Sequence, residues 1–293
     1  MKNMKSLISL VLMLALGLTA CQKDKAGVYQ PKKKIQQIYY SEPGSNKKPF
    51  QVWDWSGNQL SSITHFESLM KSNWTEHFTY DNGRLSRVDN YDNNEYITYD
   101  YADDQLKSSN YFYHNTLVCT WTVNYNDGKL SKLIGTIYDG FKANRAQLTL
   151  DPLAALLPQE LCQQVAQHEQ QQALRSTTDE PMTLVLLLTW DDDHIHKIVA
   201  IGDDESITFN MKYDDKICPF YGFMGILEDY YTNFLTGHTG FTKNNVTRIV
   251  YTEDDYADTL CFAYQYDTDK YPVLQTMYYA NDPDYKVVLY YEY

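Results

Sequence analysis

The sequence predicts a mainly β protein: an antiparallel β-hairpin meander forming a curved sheet or open barrel, with one inserted α-helix. Three observations predict it. A nine-residue frame of an aromatic, turn formers and an aliphatic recurs along the chain. Between copies, apolar and polar residues alternate with the period of a half-buried strand. One stretch near residues 151–175 instead carries leucines at helical spacing.

Residues 1–20 read as a signal peptide. Lys2 and Lys5 precede the apolar run Leu7 to Leu18, which is too short to span a bilayer as a helix. The run ends Leu18-Thr19-Ala20-Cys21, which resembles the lipobox of bacterial lipoproteins, in which the Cys21 thiol receives the lipid. Cys21-Gln22-Lys23-Asp24 is similar to the signal that sends some Bacteroidetes lipoproteins to the outer leaflet. Cleavage leaves 273 residues and, without Lys2 and Lys5, moves the formal charge from −13 to −15. So acidic a chain repels nucleic acid, and no second apolar run reaches spanning length. The membrane is therefore expected to be reached through the lipid anchor only. Residues 21–34, polar and containing Lys32-Lys33-Lys34, read as a solvated tether, and residues 35–293 as a single β-repeat domain.

The frame appears at residues 55–63 and returns at 80–88 (YDNGRLSRV), 101–109, 125–133 (YNDGKLSKL), 190–198 and 241–249. Asn82-Gly83 and Asp127-Gly128 suit a type I′ turn, whose φ > 0 twist joins antiparallel strands. A two-residue turn sets Tyr80 opposite Leu85 and Asp81 opposite Arg84, pairs that stabilise by roughly 0.2–1 kcal/mol each. Leu85 and Val88, three apart, would face opposite sides of a regular strand. Either a bulge shifts the phase or both faces of the sheet are covered.

A second hairpin type is expected at residues 213–220 and 266–273, where Pro219 and Pro272 mark a strand start or edge. Residues 287–293 read as a closing strand. Asp151-Pro152 opens the predicted helix, with Leu153, Leu156, Leu157, Leu161 and Val165 on one face. A shorter helix is expected near residues 228–235. Cys119, Cys162, Cys218 and Cys261 lack the C-x-x-C spacing of a zinc or redox centre, and buried thiols are expected in preference to two disulfides, which an oxidising envelope would permit in three connectivities.

The aromatic-Asp-x-Gly-Arg/Lys-Leu hairpins are similar to the YD repeats of cell-surface proteins. The wider pattern, carried by residues 213–220 (YDDKICPF), 243–249 (KNNVTRI) and 264–273 (YQYDTDKYPV), resembles an uncharacterised Bacteroidetes lipoprotein family with a porin-like β fold. That resemblance implies a β-barrel relative and brings no activity or catalytic residues. It does not imply a channel, because a lipid-facing wall needs an apolar outer band. Here Thr79, Thr98, Thr122 and Asn124 occupy the alternate face, which suits water.

No catalytic or cofactor motif occurs. His194 and His196, beside Asp191, Asp192 and Asp193, could begin a metal site, yet the repeat puts them where other copies hold Arg84 and Ser86. Acidic turns such as Asp103-Asp104 and Asp267 with Asp269 match no calcium motif, and Asp forms turns in its own right. Tyrosine is abundant, with 27 copies. Surface rings of this kind bind sugars and peptides at low entropic cost. The candidate ligand-binding residues are Trp74, Tyr96, Tyr111, Tyr113, Tyr230 and Tyr231. The expectation is a non-enzymatic, lipid-anchored envelope protein that binds a glycan or a protein. An envelope hydrolase and a structural spacer are the alternatives.

Overall fold

A computed structural model describes residues 25–66, 73–90, 94–138, 181–201, 206–223, 240–253 and 256–293. The strands are β1 (Gln37–Ser41), β2 (Lys48–Ser56), β3 (Gln59–His65), β4 (Trp74–Asp81), β5 (Arg84–Asn90) and β6 (Glu95–Ala102). There follow β7 (Gln105–Tyr113), β8 (Thr116–Asn126), β9 (Lys129–Ile137), β10 (Met182–Asp191) and β11 (His194–Ile201). The last five are β12 (Ser206–Tyr213), β13 (Val246–Glu253), β14 (Tyr256–Tyr266), β15 (Pro272–Tyr279) and β16 (Asp282–Glu292).

Each strand pairs antiparallel with its chain neighbours, and β1 pairs with β16, so the 16 strands close into a barrel. The expected curved sheet or open barrel is thereby overturned. The seam that closes it, with Ile38 opposite Tyr291 and Tyr39 opposite Tyr290, joins the two ends of the chain and has no turn to announce it. Closure also removes the unpaired edges an open sheet would expose. No helix occurs among the described residues. The helix expected near residues 151–175 and the one near 228–235 both lie outside them.

The short turns form as expected. Tyr80 pairs with Leu85 and Asp81 with Arg84, while Asn82 and Gly83 have φ of 49° and 80°. The phase problem is resolved by a bulge. Thr79 pairs with Arg87, so Ser86 is an extra residue and Leu85 and Val88 both face inward. Ser61, Lys107, Ser131 and His196 hold the same bulge position in other hairpins. The Ser61, Ser86 and Ser131 hydroxyls donate to the carbonyls of Asp54, Thr79 and Asn124 at 2.9, 3.0 and 3.3 Å.

The bulge also explains why each frame that forms a hairpin starts with an aromatic. It leaves a backbone group of the sixth residue outside the ladder, and the ring of the next hairpin reaches it. Tyr101 Oη donates to Leu85 O at 2.7 Å, Tyr213 Oη to Ile195 O at 2.8 Å and Tyr264 Oη to Val246 O at 2.8 Å. Trp190 Nε1 donates to Leu130 O at 2.5 Å, and the Tyr80 and Tyr125 hydroxyls meet the backbone of Leu60 and Leu106. At the seam, Trp55 Nε1 donates to Ile35 O and Tyr293 Oη to Pro272 O, both at 2.8 Å, which carries the ring of contacts around the barrel.

Two sequence expectations shift here. Tyr213 pairs with Val246 across β12 and β13, so residues 241–249 are no hairpin despite their spacing. Residues 214–223 leave the sheet after β12, and Pro219 starts no strand, whereas Pro272 does.

The barrel is apolar inside and polar outside. Trp53, Ile63, Leu85, Val88, Ile97, Leu133, Ile198, Phe209, Ile249 and Leu260 belong to one buried cluster. Outside, Thr79, Asp100, Thr122 and Asn124 are exposed. There Ser108 Oγ and Asn110 Nδ2 donate to Asp100 Oδ2 at 3.0 and 3.1 Å, and Thr120 Oγ1 to Asn110 Oδ1 at 3.0 Å.

The mouth ringed by the short turns is filled. Residues 25–34, read from sequence as part of a tether, pack there together with Ile35. Ala26 N–H donates to Asp104 O at 3.0 Å and Leu85 N–H to Gly27 O at 2.8 Å, while Tyr29 and Ile35 are buried. Tyr29 lies 5.2 Å from Phe223 and 5.7 Å from Trp55, and donates to Pro219 O at 2.6 Å. Burial holds the Tyr29 hydroxyl well above its usual pKa and pushes the Cys218 thiol up to about 12.

Candidate functional site

At the rim opposite the short turns, the inward places change character. Gln51 near the start of β2, His65 ending β3, Glu76 in β4, Asn90 ending β5 and Glu95 starting β6 are polar residues on the lumen side. Their strands set them side by side: Gln51 opposite His65, Glu76 opposite Asn90 and Asn90 opposite Glu95.

Three of these groups and Trp53 form one directed chain. Trp53 Nε1–H, which can only donate, gives its proton to Gln51 Oε1 at 3.0 Å. Gln51 must then present its amide N–H₂ to His65 Nδ1, 3.3 Å away. His65 therefore carries its proton on Nε2 and donates to Glu76 Oε2 at 3.2 Å. The imidazole also lies flat on the Trp74 indole, 4.5 Å between centroids and 1° between planes. A positioned imidazole beside a carboxylate is the result.

The belt ends in an unmet acceptor. Asn90 Nδ2 donates to Glu95 Oε2 at 3.4 Å, but Asn90 Oδ1 is buried with no hydrogen-bond partner. Such a group costs about 1–3 kcal/mol unless something donates to it. With Glu76 and Glu95 on either side, the place favours a ligand rich in hydroxyl or N–H donors. Side-chain access survives at Glu76, which keeps 20% of its exposure, and Glu95 and Tyr113 are half-buried at the rim.

The candidates named from sequence are dispersed. Trp74 is buried within the belt. Tyr113, opposite Glu95, and Tyr111, opposite Ile97, share its side of the sheet. Tyr96 faces outward, stacked 4.6 Å from Phe112, with the Arg87 guanidinium 3.7 Å over its ring. Cys21, Tyr230 and Tyr231 lie outside the described residues. Sequence reasoning missed Gln51, His65, Glu76, Asn90 and Glu95. The signal was available in part, since His65 holds the same parity as the apolar Ile63 and a polar residue at an inward place marks an exception.

His194 and His196 do not act together. His194 Nε2 meets Asn244 Oδ1 at 2.8 Å and stacks on Tyr213, whereas His196 occupies a bulge with Nδ1 buried and unmet. Among the described residues, no group of three His, Cys, Asp or Glu side chains could hold a metal ion. The acidic turns engage basic side chains: Asp104 takes Arg84 at 2.9 Å and Lys25 at 3.7 Å, and Lys33 bridges Asp267 and Asp269 at 2.6 Å each. Cys119 carries a thiol that burial pushes up to about 12, and Cys162 lies outside the described residues.

No protein-family model matches this chain, and no curated protein does. Among solved structures, it is similar to a porin-like protein from Bacteroides uniformis, with a TM-score of 0.51 at 12% identity over 89% of this chain and 98% of that one. A porin-like protein from Bacteroides vulgatus aligns with a TM-score of 0.45 at 8% identity over 88% and 98% of the two chains. The first likeness shows a shared barrel fold, and the fold alone.

Proposed function

We propose that this chain is an exported, lipid-anchored protein of the bacterial cell envelope that binds a glycan in the far mouth of its barrel. The observation that carries the reading is the inward belt of Gln51, His65, Glu76, Asn90 and Glu95, with its unmet Asn90 acceptor. Sugar hydroxyls are donors of the kind that acceptor lacks, and Tyr113, half-buried opposite Glu95, supplies a ring at the same mouth. In this reading Gln51 and Glu76 hold the His65 ring from both sides as a positioned hydrogen-bonding group for the ligand. The sequence reading of residues 1–20 as a signal peptide and of Cys21 as a lipobox cysteine supports the envelope location, and the barrel shape shared with a Bacteroides porin-like protein is compatible with it. The barrel is not read as a pore, because residues 25–35 and 214–223 fill one mouth.

The test is a glycan array probed with the mature chain, followed by affinity measurements on the best ligand. Asn90→Leu and Glu76→Gln are expected to weaken binding at least tenfold, while Asn124→Ala on the outer wall leaves it unchanged. Circular dichroism of each variant separates lost binding from lost fold. Full affinity in both folded belt variants would refute the site.

A further inference from the structure

Residues 25–27 are held at a definite place on the barrel. Lys25 pairs with Asp104, and Ala26 and Gly27 hydrogen-bond to the β6–β7 turn and to β5, all at the rim of short turns. From there the chain runs inward to Tyr29, which is buried. Cys21 is four residues upstream. Four residues reach at most about 14 Å when fully extended.

We propose that the barrel stands on the membrane on its short-turn rim, with the belt mouth held away from the lipid. The inference rests on the lipidation of Cys21 and adds an orientation that lipidation alone does not supply. The bilayer contact is a close-range one through the turn tips near Lys25. β8 runs the full height of the barrel from Thr116 to Asn126, 11 residues. At a rise of about 3.4 Å per residue and a tilt of about 40°, its ends are separated by roughly 25 Å along the axis. A leash of about 14 Å cannot bring the far rim to the headgroups while Lys25 stays docked.

Charge agrees with this placement. The turn tips are acidic, but Lys25, Lys33 and Arg84 engage Asp104, Asp267 and Asp269, and Lys129 donates to the Asp192 carbonyl, so cations are interleaved with the carboxylates at this rim. Lying sideways would instead press the outer wall of Asp100, Asn110 and Asn124 against lipid, where charged and amide groups gain nothing.

The test uses the full lipidated chain in phosphatidylcholine vesicles containing a headgroup nitroxide quencher. Thr116→p-azidophenylalanine and Asn126→p-azidophenylalanine, at opposite ends of the same strand, are each coupled to a fluorophore. Quenching at position 126 is expected to exceed that at position 116 at least threefold. Inserting twenty Gly/Ser residues between Asp24 and Lys25 is expected to erase most of that difference. Equal quenching at the two ends, or the reverse order, overturns the orientation. Mass spectrometry of the N-terminal peptide and release of a Cys21→Ala variant distinguish the two readings. A lipidated chain with equal quenching sinks the orientation alone, whereas an unlipidated chain sinks both.

Discussion

Gly27 is where the amino-terminal segment enters the barrel, and a methyl group there tests whether that entry is a tight fit. Its φ is +79°, and a Cβ built on it would collide with the Tyr101 hydroxyl and lie 2.6 Å from Cζ. Gly57 has φ of +58° and open space around it, which makes Gly57→Ala the internal control. Both substitutions incur about 1–2 kcal/mol for a left-handed residue with a side chain, and both gain about 0.4–1 kcal/mol from a stiffer unfolded chain. Only Gly27→Ala must also displace the Tyr101 ring. That breaks the 2.7 Å bond to Leu85 O, leaving a carbonyl unmet for about 1–3 kcal/mol. Overpacking adds a cost of similar size. The excess over the control is therefore on the order of 3 kcal/mol. Urea unfolding followed by tryptophan fluorescence reads it as a lower midpoint with unchanged slope. Tyr101→Phe removes the colliding oxygen, so the double variant should recover part of the loss as a coupling energy. Equal shifts for Gly27→Ala and Gly57→Ala would show that the segment is not wedged under Tyr101, and the reasoning about its docking would fall.

Tyr101→Phe alone is expected to cost about 1–3 kcal/mol in the same assay, while Tyr256→Phe, at an exposed ring, changes stability by less than about 0.5 kcal/mol. Gly135→Ala puts a methyl 2.9 Å from Trp121 ring atoms, and overpacking should cost about 1–3 kcal/mol with a shifted tryptophan emission. Alkaline pH should destabilise the barrel early. Burial raises the Cys119 and Cys218 thiols and the Tyr80 phenol to about 12, from ordinary values of 9.0 and 10.0. The native state thus keeps protons the unfolded chain gives up, so stability is full below pH 9 and is lost as pH rises toward 12. A urea midpoint that stays level to pH 11 would contradict that linkage.

The hairpin pairs were legible because a two-residue turn sets register by itself. Tyr80 with Leu85 and Asp81 with Arg84 follow from Asn82-Gly83 without reference to any other strand. The bulge at Ser86 was only half legible. Spacing announces a phase shift, but whether the chain slips or the second face is covered depends on neighbouring hairpins. Closure was not legible, because β1 and β16 meet through side-by-side register at the two ends of the chain and no turn chemistry marks the seam. Residues 241–249 show the converse failure. They keep the frame's spacing, yet Tyr213 supplies the aromatic opposite Val246 after a long excursion. The belt stayed hidden for a related reason: which polar residue faces inward is fixed only once every bulge has been placed.

Those bulges also decide what kind of barrel this is. Each one keeps the sixth and ninth residues of a frame on the inner face, and the next hairpin's aromatic covers the backbone group the bulge frees, as Tyr101 does at Leu85 O. Repeated around the circumference, this concentrates apolar area inside and leaves Asp100, Asn110 and Asn124 to the outside. A bilayer-spanning barrel requires the opposite sorting, with an apolar outer band around a polar lumen. The porin-like outline and the water-facing wall are thus compatible because outline depends on strand number and pairing, whereas polarity depends on which residues the bulges turn inward. A barrel sorted this way gains nothing by entering lipid with its wall. The lipid anchor proposed at Cys21 is consistent with that sorting, because it asks nothing of the barrel wall.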